Sequence, residues 1–205
     1  MNKKLFIVPF AAVIALLSWA FIPDMTFHTV GDDKNADVKA DTVIKWYNIK
    51  EAQELNAKEH RKMFVDMYTS WCGWCKVMDK NTFSNPVIAK YMNKHFYPVK
   101  FDAETTDTVF FGGQMFVNHG SPQTRNPHDF AIAVLQGKMS YPSFAFIDQG
   151  PNGTNITIMQ GYLPPEQFEP YMHYYGENLE KTVSWEEFLR TFKSELNQPA
   201  APSKK

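Results

Sequence analysis

The chain has 205 residues, of which 44% are hydrophobic and 15% aromatic, which suits one packed domain and excludes global disorder. Charge is almost balanced, with 21 Lys and Arg against 22 Asp and Glu, so no basic stripe marks a nucleic-acid partner. Two cysteines are too few for a domain stapled by several disulfides.

The N-terminus reads as a targeting segment. Lys3 and Lys4 give a short basic start, and Leu5 to Ile22 carries no charge. Ser18-Trp19-Ala20 is a small-x-small site, so residues 1–20 are expected to be a secretory signal peptide cleaved after Ala20. The alternative is an uncleaved signal anchor, because the apolar run is barely long enough to span a bilayer. Either way the main body is expected to be exported. Residues 21–40 are polar and read as a linker.

Thr42 to Asn48 reads as a strand, and Ile49 to Arg61 as a helix with Ile49, Ala52, Leu55 and Ala57 on one face. Lys62 to Thr69 is an apolar run typical of a buried strand. Trp71 to about Lys80 is expected to begin a helix. Asn85 to Phe96 gives a second one, with Pro86 in its first turn. Tyr97 to Asp102 is a strand. Residues 105–126 look irregular, with Gly112, Gly113 and Gly120 loosening the backbone. Asn126 to Leu135 reads as a helix capped by Asn126, and Ser143–Asp148 and Thr154–Gln160 as a hairpin. A helix is expected from about Pro165 to Tyr175, and a last one over Val183–Leu196 started by Ser184. Residues 197–205 are expected to be a disordered tail. The order is that of an α/β domain with parallel strands and an antiparallel edge.

The whole cysteine complement lies in one short motif, Trp71-Cys72-Gly73-Trp74-Cys75-Lys76. The C-x-x-C spacing fits a redox dithiol, half of a zinc site or a local crosslink. A bridge closing so small a loop restrains the unfolded chain little. Zinc needs about four ligands, and neither a second C-x-x-C nor a paired histidine spacing supplies them, so no metal is expected. The six histidines read as ordinary surface or core residues. A dithiol at the start of a helix after a buried strand favours redox work. The helix N-terminus stabilises a thiolate, and the thiolate is the attacking species in disulfide exchange.

Around this motif the chain resembles the thioredoxin family over about Thr42 to Tyr175. Trp71 to Lys76 is similar to the family's W-C-G-P-C-K, with Trp74 in place of proline. Asp66, six residues before Cys72, matches a buried acid, and Lys100 matches a lysine near that acid. Tyr141-Pro142 matches the cis-proline loop, and Gly161 a glycine after the last strand. VDMYTSWCGWCKVMD, YPVKFDAE and SYPSFAFID resemble exported bacterial members with a CGWC centre.

The resemblance implies a thioredoxin fold over residues 41–196, with a central mixed sheet flanked by helices. An insert at 105–140 before the cis-proline loop and an extra C-terminal helix would be additions. It implies Cys72 as the exposed nucleophile and Cys75 as the resolving thiol. Asp66 would exchange a proton with Cys75, with Lys100 beside it. Trp71, Gly73, Trp74, Tyr141 and Pro142 would meet the substrate. No cofactor is implied beyond the redox-active Cys72–Cys75 disulfide. The expected partners are disulfide-containing exported proteins and a membrane thiol-disulfide electron donor, with membrane attachment only if the signal segment is retained. The expected activity is reduction or isomerisation of disulfides in the periplasm. A net oxidant, or a binding or chaperone module with an incidental dithiol, are the alternatives. The insert's loose and apolar character suggests a wall on or beside the dithiol face; the alternative is an extra packing layer over the core.

Overall fold

The computed structural model describes residues 42–121, 123–151 and 153–196. The expected signal segment, linker and tail at 1–20, 21–40 and 197–205 lie outside them.

Four strands form the main sheet in the order β2-β1-β5-β6, comprising β1 (Lys62–Tyr68), β2 (Phe96–Asp102), β5 (Ser143–Gly150) and β6 (Gly153–Gln160). β1 and β2 run parallel, and β5 and β6 run antiparallel to their neighbours. The helices are α1 (Ile49–Lys58), α2 (Gly73–Met78), α3 (Pro86–His95), α4 (Asp129–Val134), α5 (Pro165–Gly176) and α6 (Trp185–Thr191).

Strand alternation divides the core in two. Met63, Val65 and Met67 of β1 face α1 and α4, where Ile49, Ala52, Phe130, Ala131 and Val134 are buried. Phe64 faces the other way, against Met78 of α2, Ile88 and Met92 of α3, and Phe168 and Met172 of α5. This second face is aromatic: Phe64 packs on Phe83, Phe144, Phe146 and Phe168 with ring centroids 5.4–5.8 Å apart.

Local chemistry sets the helix starts. Asn48 and Glu51 form a reciprocal capping box on α1, and Asn85 caps α3 with Pro86 in its first turn. Ser184 caps α6 by accepting the Glu187 N–H.

Several elements differ from the sequence expectation. Thr42–Asn48 is not a strand; it makes one parallel bridge, Tyr47 to Val99. Its backbone is held instead by Asn93, whose Oδ1 accepts the Lys45 N–H while its Nδ2 donates to Val43 O, both at 2.8 Å. The expected 126–135 helix starts at Asp129, because His128 and not Asn126 caps it: the buried His128 Nδ1 accepts the Phe130 N–H at 3.0 Å. The last helix ends at Thr191 and not at Leu196. Beyond it the buried Glu169 draws in the Glu195 and Leu196 N–H groups and the Ser194 hydroxyl.

The 105–126 stretch is more ordered than its composition suggests. Val109–Phe111 (β3) and Gln114–Phe116 (β4) form a hairpin across Gly112 and Gly113, both at positive φ. Phe111 and Phe116 are buried against Phe130. Gln53 of α1 fastens the turn, donating to Phe110 O at 2.8 Å and accepting from the Gly112 N–H at 3.3 Å. The hairpin therefore packs with the α1/α4 face, opposite the helix that carries the cysteines. Only the flanks of the insert reach the dithiol side.

Candidate functional site

β1 ends at Tyr68, and a tight turn follows in which the Cys72 N–H donates to Thr69 O at 3.1 Å. Cys72 is the N-cap of α2, and Cys75 lies in its first turn. The two are joined as a disulfide with Cα atoms 5.3 Å apart. Cys72 Sγ accepts the Cys75 N–H at 3.0 Å, the polarity that stabilises negative charge on this sulfur when the bond is open. In this disulfide form both cysteines are 4% exposed, so the expected contrast between an exposed Cys72 and a sheltered Cys75 is not seen. The N-cap position, and not exposure, distinguishes them.

α2 covers the aromatic sheet face and continues as a π-helical turn, Asp79–Phe83. Beneath it lies Asp66, 2% exposed, beside Lys100 in the parallel register of β1 and β2. Lys100 Nζ is 3.0 Å from Asp66 Oδ2 and also contacts the Asp79 carboxylate. Burial pushes the Asp66 carboxyl up to about 6, and the Lys100 ammonium only partly offsets it. Burial works against the charge on Lys100, but Asp66 and Asp79 outweigh it and raise its affinity for the proton. The rings of Trp46, Tyr68 and Phe83 surround the ammonium at 5.0, 5.3 and 5.6 Å. A cleft of about 910 Å³ between α1, the end of β2 and the β3–β4 hairpin is lined in part by Tyr68 and Lys100.

Two aromatic pairs flank the disulfide. Trp71, 47% exposed, meets Tyr141 edge-on at 5.9 Å, and Trp74, 60% exposed, packs on Tyr162 at 5.4 Å. Tyr141-Pro142 is a cis peptide, as the resemblance implies. Its loop is tied down by Gly161, whose N–H donates to Pro142 O at 2.8 Å from a positive φ of 94° that favours glycine. Gly73 is exposed, with open space where a Cβ would stand.

The structure thus sets the exposed Trp71 and Trp74, with Tyr141 against Trp71, around the buried Cys72–Cys75 disulfide; Pro142 is buried behind Tyr141, and Asp66 and Lys100 pair on the neighbouring strands. Four neighbours escaped the sequence reading: Asp79, Tyr162, Glu104, which accepts the Trp71 indole N–H, and Arg125, whose guanidinium stands over the Trp71 ring. Asp79 had a signal, since it lies one helical turn after Cys75 and such spacing points both down one face. Glu104 and Arg125 had none, because a loop's return to a distant tryptophan leaves no periodicity. Among the described residues, no group of three or more His, Cys, Asp or Glu is placed to hold a metal ion. Nor is any helix there long and apolar enough to cross a membrane.

Comparison with known proteins places this geometry. A family model described as Thioredox_DsbH, a protein of unknown function, matches residues 36–121. An uncharacterised protein of Caenorhabditis elegans is 36% identical over 71 residues, 34% of this chain and 10% of that protein. The thiol:disulfide interchange protein DsbD of Haemophilus influenzae is 20% identical over 171 residues, 82% of this chain and 25% of its own length. The chain therefore spans far less than two thirds of either relative. Among solved structures, a thioredoxin from Thermus thermophilus superposes with a TM-score of 0.50 at 16% identity, covering 74% of this chain and 98% of that one. With its mixed sheet, flanking helices and cis-proline loop beside a C-x-x-C disulfide, the chain has a thioredoxin-like fold.

Proposed function

We propose that this protein is an exported thiol-disulfide oxidoreductase that reduces or isomerises disulfides of other exported proteins. The observation that carries the reading is the Cys72–Cys75 disulfide across a helix N-cap, above a buried carboxyl held near neutrality. The likeness to a thiol:disulfide interchange protein supports the same class of chemistry. Export rests on the basic start and the uncharged run from Leu5 to Ile22.

In the reduced protein, the Cys72 thiolate attacks one sulfur of a client disulfide. A Cys72–client disulfide forms and the client's other sulfur leaves as a thiolate. Cys75 then attacks Cys72 Sγ, closing the intramolecular bond and expelling the second client thiolate. Two electrons pass to the client; the Cys75 proton, relayed through Asp66, and one proton from solvent end on the client sulfurs. Asp66, deprotonated, accepts the proton that Cys75 must lose, and Lys100 holds that carboxyl in place. The pairs Trp71–Tyr141 and Trp74–Tyr162 form an apolar rim for an extended client. The reading calls for no cofactor, but a reductase needs a dithiol donor, which at a membrane is a thiol-disulfide electron carrier.

Insulin reduction with dithiothreitol as donor tests this. Activity is expected in the wild type and absent from Cys72→Ser. Cys75→Ala should accumulate mixed disulfides, and Cys72→Ala should not. Cys72 alkylation should titrate well below the ordinary thiol value of about 8.5. Insulin reduction that survives Cys72→Ser would end the proposal. A measured reduction potential in the oxidising range would reverse the direction to net oxidant.

A further inference from the structure

The insert delivers a cation to the dithiol rim. Arg125 places its guanidinium 5.0 Å from the centre of the Trp71 ring, and Trp71 directly precedes Cys72. The indole is held on other sides as well. Glu104 accepts its N–H with both carboxylate oxygens, at 3.1 and 3.0 Å, and Tyr141 packs against it edge-on. Asn118 ties the two flanks of the insert together, donating to Glu104 O, Thr105 O and Asn126 O. Arg125 thus stands on a braced loop against the residue that precedes Cys72.

Among the described residues, no carboxylate oxygen lies within 4.0 Å of the Arg125 guanidinium nitrogens. Two acids stand near this rim without an ion pair to Arg125: Glu104, whose carboxylate accepts the indole N–H but keeps its charge, and Asp102, which accepts the Glu104 N–H at 3.0 Å. Lys76, exposed on α2 just after Cys75, adds a second cation to this end of the molecule.

We infer that Arg125 is a specificity-determining residue of the dithiol, favouring disulfides that carry a carboxylate beside the attacked sulfur. The inference rests on the oxidoreductase reading above. A guanidinium offers a carboxylate two parallel N–H donors. Stacking on Trp71 limits the freedom it would otherwise lose on pairing. Arg125 takes no part in the bond changes, which remain the two exchanges already written. Because the site is exposed, the preference is modest, about 2- to 5-fold for one charge contact.

The test is a charge series on the full chain. The protein is reduced with dithiothreitol, freed of it, and mixed without oxygen with one disulfide at a time: oxidised glutathione (anionic), bis(2-hydroxyethyl) disulfide (neutral) or cystamine (cationic). Its oxidation rate is read by acid quench and alkylation. Two cystine-linked peptides, with Asp or Lys beside the half-cystine, separate a small-thiol source of the carboxylate from an acidic protein segment. The ratio of glutathione to cystamine rates, or of Asp to Lys peptide rates, should fall about 3-fold in Arg125→Gln and about 10-fold in Arg125→Glu. Arg125→Lys should keep most of it. The pair that shifts names the source.

Ratios remove any effect of Arg125 on the Cys72 thiolate itself, which all substrates share. Variants that slow every disulfide equally, or leave both ratios unchanged, overturn the assignment and reduce Arg125 to a loop brace. A wild type inert toward all five disulfides overturns the oxidoreductase reading and this inference with it.

Discussion

Lys62 and Asp66 stand four residues apart on β1, on the same face of the sheet, and are 6% and 2% exposed. Lys62 is saturated: its ammonium donates to Tyr175 O, Asn178 Oδ1 and Glu180 Oε1 at 2.8, 2.7 and 2.6 Å, using all three donors. Asp66 is not. One oxygen meets Lys100 at 3.0 Å, and the other has no hydrogen-bond partner among the described residues. The opposite side of the same strand, Met63, Val65 and Met67, carries no charge at all. A buried charge that is fully bonded anchors structure. One left half-bonded beside a disulfide has its proton affinity displaced toward neutrality, which is what proton transfer near pH 7 requires.

Replacing each member of the pair should therefore act in opposite directions. Asp66→Asn carries the larger effect. It should slow closure of the Cys72–Cys75 bond about 100-fold, the usual loss when a general base is removed. Yet it should stabilise the fold. Folded Asp66 keeps its proton more tightly than unfolded Asp66 between pH 3.8 and about 6, so wild-type stability falls as the pH rises through that window and levels above it. Removing the ionisable group should remove the fall, for a gain of up to about 3 kcal/mol at pH 8 and almost none at pH 3.5. Urea unfolding of the oxidised protein across pH reads the stability, and rapid-quench trapping of the mixed disulfide reads the rate. A variant less stable than wild type at pH 8 would show that Asp66 is an ordinary ion-pair anchor.

Lys62→Ala should do the reverse. It strands Glu180 and two neutral acceptors, and should destabilise by about 2 kcal/mol, below the 3–5 kcal/mol or so of a fully enclosed pair because Glu180 remains 22% exposed. Lys62 lies at the other end of β1 from the cysteines, so the rate of oxidation by a small disulfide should stay as in the wild type. Measuring both on one preparation sharpens the contrast, and a matching loss of rate would join the two ends of the strand into one unit.

What the sequence discloses follows the same division. Asp66 is legible because an acid inside MFVDMY is costly to bury without a purpose. Pro142 and Gly161 are legible by resemblance, and the structure ties them by one hydrogen bond. Lys62 read only as the edge of an apolar run, because its three acceptors come from residues 175–180, a long way along the chain. The hairpin at 109–116 did leave a trace, since apolar residues flank Gly112-Gly113 on both sides, but the glycines read as looseness and not as a two-residue turn. Thr42–Asn48 misled through its β-branched residues. A side chain, Asn93, took the backbone bonds that a neighbouring strand would have supplied, and no propensity records that.

Asp79 gives the smallest and most discriminating prediction. Its carboxylate shares the Lys100 ammonium with Asp66, but its side chain is 42% exposed where that of Asp66 is 2%. Two consequences of Asp79→Asn add in the same direction. Lys100 loses its second carboxylate and turns more fully to Asp66, and a negative charge that raises the Asp66 carboxyl disappears. Asp66 should then release its proton at lower pH. The fall in stability with pH should move toward acid and shrink, and the pH profile of Cys72–Cys75 closure should move the same way. The change in stability itself should stay within about 1 kcal/mol, because an exposed partner is lost. A profile shifted toward alkali would mean that Asp79 holds Lys100 in position and that Asp66 loses the ammonium without it. An unshifted one would leave Asp79 a surface contact, and Asp66 and Lys100 a pair sufficient to themselves.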